Sequence, residues 1–223
     1  MELTAGGKAN REKYRSHIQA AELEFGLPED LLMQLLGQES RFESSVIDLQ
    51  RLSTKKAKGF GQFMLPTAQY AAQKLHITED EMWKPLNQIR MSGFILKESI
   101  DRFKKDSSPE VAKNAVMWTY AEYNAGGGKI KRALEIARKG GDYLSALPKE
   151  TQQYTESIRN WTGKALDEFE QYLHPTQSAS RKLFDEFNLL APNLTHLEKL
   201  EHRIPYMAKF LLTVGLKGKI LKP

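Results

Sequence analysis

The chain has no cysteine. That excludes a disulfide framework, a thiolate nucleophile and a cysteine-ligated metal, and it leaves the redox state of the compartment open. Long apolar runs are missing as well. No stretch reaches the roughly 18 consecutive apolar residues of a membrane span, and residues 1–13 lack the apolar segment of a secretory signal. Histidine is sparse, and His196 and His202 have neither ligand spacing nor an acidic partner pattern, so no metal site is read. Internal repeats are absent. What is present is a chain of 223 residues, 40% hydrophobic and 27% charged, the composition of a folded globular protein with one sizeable domain plus an extension.

Charge is unevenly spread. Of a net +5, residues 175–223 hold 8 Lys and Arg against 4 Asp and Glu, so the remainder is nearly neutral. A basic tail could meet an anionic surface such as teichoic acid, nucleic acid or lipid, or a protein partner, and most such faces are simply solvated.

Hydrophobic spacing predicts a mainly α protein. Residues 1–10 read as a disordered lead: small and polar, with Gly6-Gly7 and no period. Helices are predicted over 11–25, with Tyr14, Ile18, Ala21 and Phe25 on one face, and over 28–39, with Pro28 in the first turn. Further helices are expected over 67–75, 78–83, 89–105, 108–123, 130–138 and 150–172. The short one at 78 would start on a Thr78/Glu81 capping box. Asn124 and Gly126 suit the end of the helix at 123. His174-Pro175 marks a domain boundary, and 178–190 and 196–212 read as two more helices before a loose basic end. At most a small hairpin is expected between Val46 and Gln62.

One carboxylate breaks the apolar pattern. Glu39 follows Leu32, Leu35 and Leu36 by seven, four and three residues, which puts it on their helix face in the last turn. Desolvation and the negative end of the helix dipole both favour its protonated form, the property a general acid needs. The plainer reading is a boundary Glu whose head reaches water. A loop follows, Gly59-Phe60-Gly61-Gln62-Phe63-Met64, offering an amide and apolar surface of the kind that binds sugars, or simply a tight turn into a helix.

Taken in order, Glu39-Ser40-x-Phe42, Ser53, Gly59-x-x-Gln62-Phe63-Met64 with Thr67-Ala68, Ala121-Glu122-Tyr123-Asn124-Ala125-Gly126 and Glu150-Thr151-Gln152-Gln153-Tyr154 resemble the catalytic core of the soluble lytic transglycosylases of the goose-lysozyme-like group. The blocks cover about residues 12–172. The resemblance implies a lysozyme-like α-helical domain over 11–174, followed by a basic helical extension over 175–223. It implies a peptidoglycan substrate and a reaction without a cofactor, in which Glu39 is the only catalytic acid. Ser53 and Tyr123 would orient the acid or the acetamido group. Gln62, Phe63, Met64, Asn124 and Tyr154 would line the sugar subsites.

The sequence departs from that pattern between 43 and 58. Ser53 stands 14 positions after Glu39, a longer gap than the family pattern, and Lys56 occupies a position where glycine is usual. The insert carries Asp48, a candidate second carboxylate that would favour hydrolysis by steering water, or else a solvated loop residue. Three functions therefore stay open: a lytic transglycosylase, a muramidase of the same fold, and a structural or ejection component of a phage particle that assists wall penetration. The absent signal motivates the last, since action on the wall would then require another route of delivery.

Overall fold

The computed structural model describes residues 3–51, 53, 57–157 and 169. The chain is mainly helical, as the spacing predicts, and the described residues contain no strand. Helix α1 spans Ala5–Phe25 and α2 spans Leu31–Ser40, followed by a single turn, α3, at Ser44–Ile47. Then come α4 (Leu65–Lys74), α5 (Pro85–Lys104), α6 (Pro109–Lys113), α7 (Ala115–Ala125), α8 (Gly127–Arg138), a 3-10 turn at Leu144–Ala146, and α9 at Lys149–Ser157. The predicted continuation of the last helix through Trp161 and Tyr172 lies outside the described residues, as do the helices over 178–190 and 196–212 and the basic end; Phe169 is described and is buried.

Several boundaries correct the expectations. The lead is ordered from Leu3, because Thr4 caps α1 by accepting from the Gly7 N–H at 3.0 Å. Gly7 is buried where a Cβ would come within 2.8 Å of the Arg41 carbonyl, so the small residues that suggested disorder serve a close approach. Pro28 lies outside α2: the chain turns at Glu29 and Asp30, and Asp30 takes φ 70 before the helix begins. The predicted helix at 78 is a turn closed by the N–H groups of Glu81 and Met82 on the Thr78 carbonyl. The helix predicted over 108–123 is two, because Asn114 leaves helical geometry and its side chain bonds back to Glu110. The possible hairpin reduces to one antiparallel bridge, Lys58 with Phe63.

Helix α2 is the buried centre. Every residue from Leu31 to Gly37 is buried, so no side of it faces water over two turns. Leu32, Leu35 and Leu36 pack with Tyr14 and Ile18 of α1, Ile89, Leu96 and Ile100 of α5, Val116 and Tyr120 of α7, and Tyr154 of α9. At about 1.5–3 kcal/mol for each fully buried leucine, this cluster is the main source of cohesion. A second cluster joins Phe103, Val111, Trp118, Ile130 and Leu147, and a third joins Phe63, Ala68, Ala71, Met82 and Met91. Helix α5 touches α1, α2, α4, α6 and α7, and so links the three.

Candidate active site

Helix α2 ends in a way that presents Glu39. The Ser40 hydroxyl donates to the Leu36 carbonyl at 2.7 Å and accepts from the Phe42 N–H at 3.1 Å. Arg41 and Phe42 then take φ 50 and φ 55, which non-glycine residues rarely adopt. Phe42 is nonetheless completely buried against Phe60, and that packing holds the strained bend. The chain therefore leaves the helix axis sharply, one residue after Glu39. The bend, rather than periodicity alone, gives Glu39 its place at the helix end.

Glu39 is half-buried. Tyr154, from the first turns of α9, donates its hydroxyl to the Glu39 carboxylate in a short hydrogen bond. Burial pushes the Glu39 carboxyl up to about 7, and the Tyr154 bond, which favours the charged form, offsets only part of that. Tyr154 is itself pushed well above the ordinary phenol range, by burial first and the Glu39 charge second, so it remains a donor at any working pH.

The glycine loop is held by a residue the sequence did not single out. Gln88 of α5 is fully buried and accepts from the Phe60 N–H at 2.6 Å while donating to the Trp83 carbonyl at 2.5 Å. A Cβ on Gly59, which sits at φ 72, would lie 2.1 Å from the Gln88 side-chain oxygen. Gly61 is equally constrained: a Cβ there would meet the Ser92 hydroxyl at 2.5 Å and the Tyr123 hydroxyl at 2.7 Å. That closeness allows Tyr123 to donate to the Gly61 carbonyl at 2.7 Å. Gln62, at φ 46, ties its side-chain amide to the Gly59 carbonyl at 3.0 Å.

A cleft of about 880 Å³ opens along this loop. Gln62, Phe63, Met64, Tyr123 and Asn124 line it, and Glu98, Arg102, Glu122 and Lys129 bring charge to its wall. Phe63 is buried and Met64 is 48% exposed, so Met64 offers apolar surface to a ligand while Phe63 anchors the loop. Asn124 accepts from the Thr151 hydroxyl at 2.9 Å, which couples the end of α7 to α9. Glu39 does not line this volume. Tyr123 connects the two: it reaches Gly61 in the cleft wall, and its phenol is raised by burial and then by the Glu39 charge.

The remaining expected residues lie apart from this cluster. The Ser53 hydroxyl accepts from the Ala57 N–H at 2.8 Å within its own loop, and the described contacts do not join it to Glu39. Asp48 ends α3, exposed, with its backbone N–H donating to the Ser44 and Val46 carbonyls. Ser40, part of the Glu39-Ser40-x-Phe42 block, and Gln88 are supports to which the sequence assigned no role. Ser40 stands directly before the bend at Arg41, whereas Gln88 gave no local signal. Among the described residues no His, Cys, Asp and Glu side chains are grouped as a metal set.

The model of the transglycosylase SLT domain matches residues 16–145, more than half of the chain. The chain belongs to the transglycosylase SLT domain family. As an SLT domain it acts on peptidoglycan in the cell wall, by glycan cleavage of the lytic transglycosylase type. The matched span holds Glu39, the glycine loop and Tyr123; Tyr154 lies just beyond it. No curated protein matches the chain, and no helix among the described residues of this SLT domain is long and apolar enough to cross a membrane.

Proposed function

We propose that the protein is a lytic transglycosylase that cleaves the β-1,4 bond from N-acetylmuramic acid to N-acetylglucosamine and forms a 1,6-anhydromuramoyl end. The observation that carries this reading is the state of Glu39: one half-buried carboxyl, raised to about 7, held by a permanent phenol donor. Most glycosidases pair two carboxyl groups across the scissile bond. Here the other carboxylate considered, Asp48, is exposed at the end of α3.

Glu39 in its protonated form donates to the glycosidic oxygen as the bond to C1 of the muramic sugar breaks. The carbonyl oxygen of that sugar's own acetamido group stabilises the positive charge at C1. Glu39, now a carboxylate, takes the proton of the C6 hydroxyl, and O6 closes on C1. The enzyme ends protonated as it began, and no water is consumed. A group near 7 serves both halves of this cycle, because neither protonation state is costly at neutral pH. Tyr154 stabilises the carboxylate half. Tyr123, Gln62, Met64 and Asn124 bind the strand along the cleft.

The test is a digest of purified peptidoglycan by the wild type and by Glu39→Gln, with products read by mass. Products lighter than a hydrolytic fragment by one water, absent with the variant, are the expected result. Reducing ends instead would assign hydrolysis by a muramidase. No product from the wild type would remove the enzymatic reading and leave a structural or delivery role.

A further inference from the structure

One buried carboxyl takes no part in the mechanism above. Glu22, on α1, is 1% exposed, and a carboxyl so placed must find hydrogen-bond donors. It finds them on another helix. Its Oε1 accepts from the backbone N–H of Leu32 at 2.9 Å and of Met33 at 3.2 Å. These belong to the first turn of α2, where backbone donors lack partners within the helix. The residue before α2, Asp30, sits at φ 70 and its side chain makes no capping bond. Glu22 is therefore the N-cap of α2, delivered from α1.

That arrangement is costly where a cheap one existed. A Ser or Asp just before α2 in extended geometry would cap it without burying a carboxyl. What the costly version adds is a fixed axial relation between α1 and α2. The same end of α2 is held again by Tyr120 of α7, whose hydroxyl donates to the Leu31 carbonyl at 2.7 Å. Glu39 lies seven residues beyond Leu32, roughly 10 Å along the axis at about 1.5 Å per residue. There Tyr154 receives it, and the Tyr154 ring lies 6.4 Å from the Tyr120 ring. The helix is thus fastened at its start by Glu22 and Tyr120 and at its end by Tyr154, and a slip at the start becomes a slip of the acid.

We infer that Glu22 is a positioning residue for Glu39: by capping α2 from α1 it sets the seat of the acid against Tyr154. The inference rests on the reading of Glu39 as the acid. Burial also pushes the Glu22 carboxyl up to about 7, with the backbone donors opposing, and its oxygen accepts both bonds in either protonation state. The titratable groups facing Glu39 are Tyr154 from α9 and Tyr120 and Tyr123 from α7; Asp30 and Tyr120 face Glu22.

The experiment uses the full chain in four forms: wild type, Glu22→Gln, Glu22→Asp and Glu22→Ala. The Glu39 carboxyl is titrated by carbon NMR of labelled glutamate, and kcat and KM are measured on soluble glycan strands. Glu22→Gln keeps the acceptor at the same reach, and its Glu39 midpoint and kcat are expected within about threefold of wild type. Glu22→Asp is one methylene too short. Its Glu39 midpoint is expected to move down toward the ordinary carboxylate range as water reaches a loosened acid, with kcat reduced about tenfold and KM within twofold. Glu22→Ala follows Glu22→Asp if it folds, and Glu22→Asp decides if it does not. A folded Glu22→Asp with the wild-type midpoint and kcat would overturn the inference, and so would a Glu22→Gln as impaired as Glu22→Asp. Failure of wild-type catalysis would sink the functional reading while the Glu39 midpoint still reported on positioning.

Discussion

Glu22 and Glu39 are both carboxyls that burial raises to about 7, and they border the same helix, yet their surroundings assign them different work. Glu22 is sealed at 1% exposure, and the bonds it accepts come from backbone. Glu39 is half-buried at the other end of α2 and is met by a phenol from α9. The comparison teaches that a perturbed carboxyl is not a catalyst by virtue of its pKa. Proton transfer needs access to substrate, and of the two Glu39 is the half-buried one while Glu22 is sealed. Helix polarity reinforces the division: Glu22 faces the positive end of the α2 dipole and Glu39 the negative end, so Glu39 is the better proton holder for its degree of exposure.

The sharpest way to break the comparison is to remove both acids in turn without removing their shape. Glu39→Gln is expected to lower turnover of peptidoglycan by about 10²–10⁴-fold, the range of general acid–base catalysis, while thermal stability holds or rises. A Glu39→Gln enzyme with near wild-type turnover would transfer the role elsewhere. Tyr154→Phe is expected to cost about tenfold in kcat, with a diagnostic shift in pH. The Tyr154 bond favours the charged form of Glu39, so its loss raises the Glu39 carboxyl further. The alkaline limb of the kcat profile, where the acid loses its proton, should therefore move to higher pH. A move to lower pH would show that the phenol shields the carboxyl from water more than it bonds it.

Stability against pH sharpens the same contrast. Both carboxyls stand near 7 in the folded chain against 4.5 for an unperturbed glutamate. The folded state then binds more protons between those values, so stability is greatest below about 4.5 and falls as pH rises through about 7. The interval corresponds to an upper limit of roughly 3.5 kcal/mol for a sealed group, at about 1.4 kcal/mol per unit. Thermal melts at pH 5 and pH 8 should show the decline in the wild type. Glu22→Gln should remove more of it than Glu39→Gln, because Glu22 is the more deeply buried. Equal melting temperatures at the two pH values would place both groups in wetter surroundings.

The helical class was legible because apolar periodicity is long and regular in α1, α2 and α5. Glu39 was legible because it interrupts such a period at a helix end. Boundaries were lost where tertiary contacts override local preference: Thr4 starts α1 inside a stretch that reads as disordered, and Asn114 splits a continuous apolar face. Tyr123 and Tyr154 were drawn in by resemblance, and the structure places their hydroxyls on Gly61 and Glu39. Glu22 and Gln88 were invisible for one shared reason. Each is a polar residue on a helix that reads as ordinary surface composition, and the bond that gives it its role spans 10 residues from Glu22 to Leu32 and 28 from Gln88 to Phe60. No local pattern encodes a bond of that span.

Asp48 supplies the smallest expected effect and the finest distinction. It is exposed, it terminates a one-turn helix, and its described hydrogen bonds are made by its backbone. A carboxylate that activates water must stand opposite the acid across the sugar, and retaining and inverting enzymes alike fix that separation within several ångströms. An exposed side chain at a helix end has no such fixation. Asp48→Asn is therefore expected to change kcat/KM by less than about twofold and stability by less than about 0.5 kcal/mol, as for surface substitutions generally. The measurement that gives this value is the product ratio, since a rate alone would miss a change of outcome. If Asp48 does steer water, Asp48→Asn will lower reducing ends relative to anhydro ends. An unchanged, anhydro-dominated ratio leaves Glu39 to move both protons, with the C6 hydroxyl taking the place that water holds in a hydrolase.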